Sequence, residues 1–294
     1  MKTINHPYAK IKYNAGNVIP HFSYEKFDEI SFIKHLFTTR LGGVSQNHLS
    51  SLNLSYTRGD LEENVTENFR RVARELDISI DDIVLSHQTH TNNVRVITEK
   101  DKGKGITKPL DYSDIDGMIT NVPGVCLSTF YADCVPLYFV DPVNKAIGLS
   151  HSGWKGTVTR IGQKTIEAMC REYGSNPANI LVAIGPSICM DCYEISEDVA
   201  VQFIDEFNLH NNICNYESID NNEYKDIILA KKSGNKYQLN LWAANIKVFL
   251  DAGILPEHIS LTNVCTCCNH KLLFSHRKTN GQRGNLGAFL LIHK

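Results

Sequence analysis

The chain has no apolar run near the ~20 residues that a membrane-spanning helix requires. The stretch Met1 to Gly16 is polar and lacks the apolar heart of a signal peptide. Together these predict a cytoplasmic protein. An excess of one charge is also missing: Lys+Arg 30 against Asp+Glu 32 leaves a net charge of −2, with no long run of either sign. That removes the electrostatic case for nucleic acid or a membrane surface as partner. A small anionic substrate needs only a local site and stays open. There is no internal repeat, low-complexity tract or Pro/Ser/Gly-rich linker. At 294 residues the chain is about twice the ~150-residue prior for a domain. One large domain, residues 1–294, is the better expectation without a linker.

Two metal-enzyme classes are excluded by missing motifs. A multicopper oxidase needs His-x-His pairs and a cysteine flanked by histidines. None of the 12 histidines forms such a pair, and no cysteine has a histidine beside it. The zinc nucleobase deaminases carry His-x-Glu with Pro-Cys-x-x-Cys, and neither pattern occurs. Nine cysteines, an odd count in a long chain without an export signal, read as reduced thiols rather than a disulfide framework.

The remaining sequence is strongly patterned. Asp60-Leu61-Glu62-Glu63 resembles a capping box, and Val65, Phe69, Val72 and Leu76 follow at helical spacing, predicting a helix over 61–77. Further helices are expected from Gly156 to Gly174, over 197–207 with Ser196 as N-cap, and over 240–252 before Gly253. Short apolar runs at 125–130, 136–140, 146–150, 180–184 and 288–292 read as strands. Strands and helices interleave without strict alternation, which favours mixed sheets over a doubly wound fold.

Three short stretches supply soft metal ligands: His90 in His87-Gln88-Thr89-His90, Cys134 after Asp133, and His151 in His151-Ser152-Gly153-Trp154. One thiolate and two imidazoles suit zinc and leave one tetrahedral position open. Buried filler residues are the competing reading, since free cysteine is commonly buried. Anion candidates are Arg40 with the Gly42, Gly43 and Ser45 backbone, and Arg277 near the C-terminus, with the helix start at Gly153–Thr157 as a rival. Cys189-Met190-Asp191-Cys192 and Cys265-Thr266-Cys267-Cys268 also have zinc-type spacing. A structural four-cysteine zinc and plain buried thiols both account for them.

Taken in order, several motifs resemble the laccase-domain family, also called the multicopper polyphenol oxidase family, whose members are purine nucleoside phosphorylases. The matching pieces are residues 39–45, Leu52-Asn53-Leu54, Gln88-Thr89-His90, Ala132-Asp133-Cys134-Val135-Pro136 and residues 151–157. They continue with Ile184-Gly185-Pro186, Cys192-Tyr193-Glu194, Cys265-Thr266 and Phe274-Ser275-His276-Arg277, so the set runs roughly from 38 to 292. Ser152 stands where the family often has alanine, a small change. His87 falls outside the motif and is read as a supporting or surface residue.

The resemblance implies an α+β fold, a single domain of layered mixed β-sheets flanked by helices in an α/β/β/α-like sandwich. It implies one catalytic zinc on His90, Cys134 and His151, with Asp133 beside the thiolate among the catalytic candidates. The implied reaction is phosphorolysis of adenosine, inosine or methylthioadenosine, with adenosine deamination as a second activity. Copper taken up by the same ligands would account for phenol oxidation in vitro. Purine nucleosides and phosphate are the implied partners, and a homodimer is compatible with the reading. The rival classes are a metal-free hydrolase using Cys134 and His151, and a non-enzymatic metal- or partner-binding protein.

Overall fold

Whether a strand is covered on one face or two decides the layering of this molecule. In Val135–Asp141, Val135, Leu137 and Phe139 join a core with Ile166, Met169 and Phe249, while Tyr138 and Val140 join another with Phe37, Leu127 and Leu290. In Leu286–Ile292, Ala288, Leu290 and Ile292 enter that second core. Phe289 and Leu291 enter a third, with Val65, Phe69 and Val72. Both strands are buried on both faces, which is why they read as continuous apolar runs. Each large side chain so buried contributes about 1.5–3 kcal/mol.

The computed structural model describes residues 10–14, 17–219 and 226–293, so most of Met1–Gly16 lies outside the described residues. Two six-stranded mixed sheets stack on each other. The first runs in the order Lys10–Asn14, Asn17–Ser23, Ile33–Thr38, Leu286–Ile292, Cys126–Tyr131, Ile83–Leu85. The second runs Ile259–Leu261, Leu181–Ile184, Val135–Asp141, Ala146–Ser152, Gly117–Thr120, Val94–Val96. Parallel pairs at the sheet edges, such as Ile83–Leu85 with Cys126–Tyr131, sit beside antiparallel ones. A smaller sheet of Glu194–Ser196, Lys236–Leu239, Leu229–Lys232 and Cys214–Asn215 was not foreseen from the sequence. Helix Glu62–Leu76 covers the first sheet, and Ile161–Tyr173 with Leu241–Asp251 covers the second. The fold is the expected α+β sandwich of mixed sheets between helices.

Two local expectations are corrected. The capping box at Asp60–Glu63 does not form: the helix starts at Glu62 behind Leu61, which gives no side-chain cap. Asp60 is engaged instead by the Asn53 and Asn64 amides, which donate to it at 2.9 and 3.1 Å. The helix expected from Gly156 to Gly174 is two, Trp154–Val158 and Ile161–Tyr173. Arg160 breaks it with φ of 59°, its guanidinium drawn off to Glu206 and Asp251 and laid over Phe207. The other two helices appear as Glu197–Phe207 and Leu241–Asp251. Ser196 precedes the first without a side-chain cap, whereas the Asn240 side chain accepts from the Trp242 and Ala243 amides. No helix among the described residues is long and apolar enough to cross a membrane.

Candidate functional site

Two of the three soft ligands lie where the chain crosses from the first sheet to the second. His90 falls between Ile83–Leu85 and Val94–Val96, and Cys134 between Cys126–Tyr131 and Val135–Asp141. His151 is on the strand Ala146–Ser152, buried next to them. The crossovers are sharp: His90 and Asp133 have φ of 67° and 93°, a region that costs a non-glycine residue energy and needs support from its surroundings.

Asp116 supplies that support for His90. It is fully buried and accepts backbone N–H bonds from Thr89, His90 and Thr91 at 3.1, 3.1 and 2.8 Å. It also contacts His151 Nδ1 at 2.8 Å. With Nδ1 donating to a carboxylate, the His151 Nε2 lone pair is turned towards Cys134, the usual arrangement behind a metal-binding histidine. Burial by itself raises such an acid. The His151 ring and the Thr89 and Thr91 amides outweigh that and hold Asp116 below the ordinary carboxylate range.

The ligand atoms of His90, Cys134 and His151 all lie within 4.8 Å of one another. Cys134 Sγ is 3.8 Å from His90 Nε2, and the two imidazole rings meet edge-on at 4.9 Å. Burial disfavours the Cys134 thiolate, yet charge on His151 and hydrogen bonds from both histidines overcome it and bring the thiol down to about 6. The same partnership, with Asp116, raises His151 against its own burial. A thiolate with two imidazoles is a soft donor set for one divalent ion. Among the described residues the other converging group consists of cysteines alone, so nothing in this donor set fits a multicopper cluster.

Cavities of about 540 and 530 Å³ open beside the cluster, and both are lined by His90, Cys134, Arg58 and Arg283. Trp154, Lys155, Tyr193, His276 and Arg277 complete one. Tyr56, His87 and Phe130 are among the walls of the other. The positive charge here is poorly compensated. Arg283 is buried, and its Nε has no hydrogen-bond partner among the described residues. Burial and then the charge of Arg58 lower it to about 10. His276 is lowered by burial and then by Arg283. Cys134 and Asp133 oppose the lowering of Arg283 only in part, and the Asp133 oxygens accept from Thr266 Oγ1 at 2.6 Å and from the Arg277 amide at 2.7 Å rather than from a guanidinium. A buried, half-satisfied guanidinium facing another cation is an electrostatic cost unless an anion sits between them.

The structure therefore gathers His90, Cys134, His151, Asp133 and Arg277 around one pair of cavities, and leaves Arg40, Gly43 and Ser45 outside their linings. The Arg40 guanidinium donates to the carbonyls of Ser50, His270 and His48 and lies 4.5 Å over the Phe274 ring. Gly43 packs against the Ser51 and Leu52 backbone, where any Cβ would collide at 2.0 Å, and Ser45 Oγ accepts from Asn68. That loop is tied to its own neighbours. His87 lines the second cavity, its Nδ1 accepting from the Asp114 amide. Sequence reading missed Asp116 and Arg58, and it gave Tyr193 no role although Cys192-Tyr193-Glu194 was among the matching motifs. A carboxylate behind the histidines was to be expected on chemical grounds, but nothing local distinguished Asp116 from Asp111 or Asp114.

Residues 34–293 match the family described as multi-copper polyphenol oxidoreductase laccase. The chain is 34% identical over 257 residues to the purine nucleoside phosphorylase YlmD of Bacillus subtilis (strain 168), covering 86% of each. It is 33% identical to adenosine deaminase RL5 of an unknown prokaryotic organism, over 82% of this chain and 87% of that one. The crystal structure of YlmD from Geobacillus stearothermophilus superposes with a TM-score of 0.82 at 29% identity, covering 97% of this chain and 99% of that one.

Proposed function

The chain belongs to the multi-copper polyphenol oxidoreductase laccase family, and from that premise we propose that it is a zinc-dependent purine nucleoside phosphorylase. Its substrates are adenosine, inosine and methylthioadenosine, and its products the free base and ribose-1-phosphate or the methylthio analogue. One observation carries the reading: a three-ligand metal set, open on the cavity side, adjoins a cluster of cations, Arg58, Lys155, Arg277 and Arg283, that outnumber the one carboxylate among them, Asp133. A simple hydrolase has no use for the second feature. Phosphorolysis needs both, a group that helps the purine leave and a seat for a nucleophilic anion.

In this reading phosphate sits against Arg58, Arg283 and Arg277, with Lys155 at the rim. Arg40, Gly43 and Ser45 hold the neighbouring loops rather than the anion. A phosphate oxygen bonds to the anomeric carbon as the carbon–nitrogen bond to the base breaks, and the base takes up a proton as it leaves. Trp154 and Tyr193 offer aromatic faces for the nucleoside in the same cavity. Asp133 anchors the Cys134 turn to Thr266 and Arg277, a positioning role. Zinc, when bound, supplies a Lewis acid that draws charge from the purine. Soft thiolate and imidazole donors favour zinc over magnesium or calcium.

The similarity to a protein named adenosine deaminase supports deamination to inosine as a second activity. One assay separates the readings: adenosine turnover with and without phosphate, adenine and inosine resolved by chromatography. Phosphate-dependent adenine supports phosphorolysis. Inosine formation indifferent to phosphate makes deamination the main reaction. Adenine formed equally well without phosphate leaves a Cys134–His151 hydrolase, and no turnover leaves a binding protein.

A further inference from the structure

The two Cys-x-x-Cys segments noted in the sequence are 73 positions apart between Cys192 and Cys265, yet the fold closes them on each other. The cause is the parallel pairing of Leu181–Ile184 with Ile259–Leu261, in which Val182 lies opposite Ile259. Parallel neighbours leave a sheet from the same end. The segments that follow stay in step: the Ser187 amide donates to the Val264 carbonyl at 3.1 Å, and the Thr266 amide to the Ser187 carbonyl at 3.2 Å. Each then turns through a cysteine pair. The four sulfurs of Cys189, Cys192, Cys265 and Cys268 end within 4.8 Å of one another, and Cys267 does not belong to the group.

These dimensions suit one ion. Zinc–sulfur bonds of ~2.3 Å in a tetrahedron place the sulfurs about 3.8 Å apart, and Cys192 and Cys268 Sγ are 3.5 Å apart. The opening is too small for a polynuclear iron–sulfur core. Cys265 Sγ also accepts two backbone N–H groups, from Cys189 at 3.3 Å and Cys268 at 3.4 Å. Two donors aimed at one sulfur suit an anion better than a thiol. Four sulfur atoms at this spacing, with two amides directed at one of them, form a donor set for a single cation.

We propose that Cys189, Cys192, Cys265 and Cys268 hold a second metal ion, one zinc in a closed shell of four thiolates. A closed shell has no position for substrate, so the ion is structural. It clamps two segments that reach the cavity from the same sheet end. One continues from Cys192 into Tyr193, which lines the cavity, and the other from Cys265 into Thr266, which holds Asp133. The site is independent of the phosphorylase reading, because it requires nothing of His90, Cys134 or His151.

The test uses that independence. The His90→Ala/Cys134→Ala chain, purified in zinc and stripped of loose ions on chelating resin, should keep about one zinc per chain. Loaded with cobalt(II), it should show the strong thiolate-to-cobalt charge-transfer absorption of an all-sulfur tetrahedral site. Adding Cys192→Ser and Cys268→Ser should abolish both, whereas Cys170→Ser and Cys214→Ser should change neither. If the cysteine variant fails to fold, titration of the His90→Ala/Cys134→Ala chain with a mercurial replaces it, and zinc should appear as thiols are consumed. The proposal is overturned if that chain holds no zinc, if it holds iron instead, or if peptide mapping finds these cysteines in disulfides.

Discussion

Gly153 gives the sharpest test of the His90–Cys134–His151 centre. Its φ of −75° and ψ of −178° are open to any residue, so a substitution there carries no backbone strain. What it lacks is room. A Cβ at 153 would stand 2.7 Å from His90 Cδ2 and 3.1 Å from Cys134 Sγ. Carbon atoms rest ~3.5 Å apart or more, so the imidazole must retreat by about 0.8 Å. Without an ion His90 is exposed and can swing away at little cost. Bound to zinc it cannot, because a ~2.0 Å coordination bond does not stretch that far. Gly153→Ala should therefore weaken zinc at least as much as the ~10–100-fold typical of a lost supporting contact, or about 1.4–2.7 kcal/mol. The melting temperature of the metal-free protein should hardly change. Gly156→Ala is the control, since its Cβ meets nothing closer than 3.4 Å. Zinc affinity is read by competition with a chromophoric chelator in both variants. Unchanged affinity in Gly153→Ala would refute the assignment of His90 and Cys134 to one ion.

Other expectations follow from the same geometry. Asp116→Asn should cost roughly 10–100-fold in zinc affinity, because it weakens both the orientation of His151 and the amide clamp on His90; an unaltered dissociation constant would remove Asp116 from the site. Arg283→Met should raise the phosphate KM roughly tenfold or more by removing a charged donor, with the zinc content intact. Arg40→Met should leave that KM alone and cost about 1–3 kcal/mol of stability, from the lost charged bonds to three carbonyls and the lost stacking on Phe274; a selective rise in KM would return the phosphate to the Arg40 loop. Asp101 accepts from Lys104 Nζ and from the Thr98 amide at 2.8 Å each. Burial alone raises this acid, yet these partners bring it to about 2. Because its folded value lies below the unfolded ~3.9, it stabilises the fold above about pH 4, and that contribution fades as pH falls towards 2. Thermal unfolding from pH 5 to 2 should show Asp101→Asn starting lower and losing less; parallel curves would contradict this.

The primary structure by itself determined whatever depends on neighbours in the chain. Apolar periodicity placed Glu62–Leu76 within two residues, because packing one helix face needs side chains three and four apart. Five apolar runs became strands because both of their faces are covered. The candidate metal ligands were legible because each belongs to a short motif whose chemistry shows locally: His90 in Gln88-Thr89-His90, Cys134 after Asp133, His151 before Ser152-Gly153. Tertiary structure decided the partners that come from afar. Asp116 is 35 positions from the histidine it orients, and three aspartates in six residues look alike until one is buried. Arg40 and Arg283 are both arginines in glycine-bearing loops, and only packing shows one spent on carbonyls and the other left with a nitrogen unpaired among the described residues. The two cysteine pairs showed their spacing in the chain but not their meeting, which depends on the parallel register of two strands. Electrostatic and coordination chemistry act over a few ångströms of space whatever the separation in sequence, so the candidate ligands were readable while the charges that surround them had to await the fold.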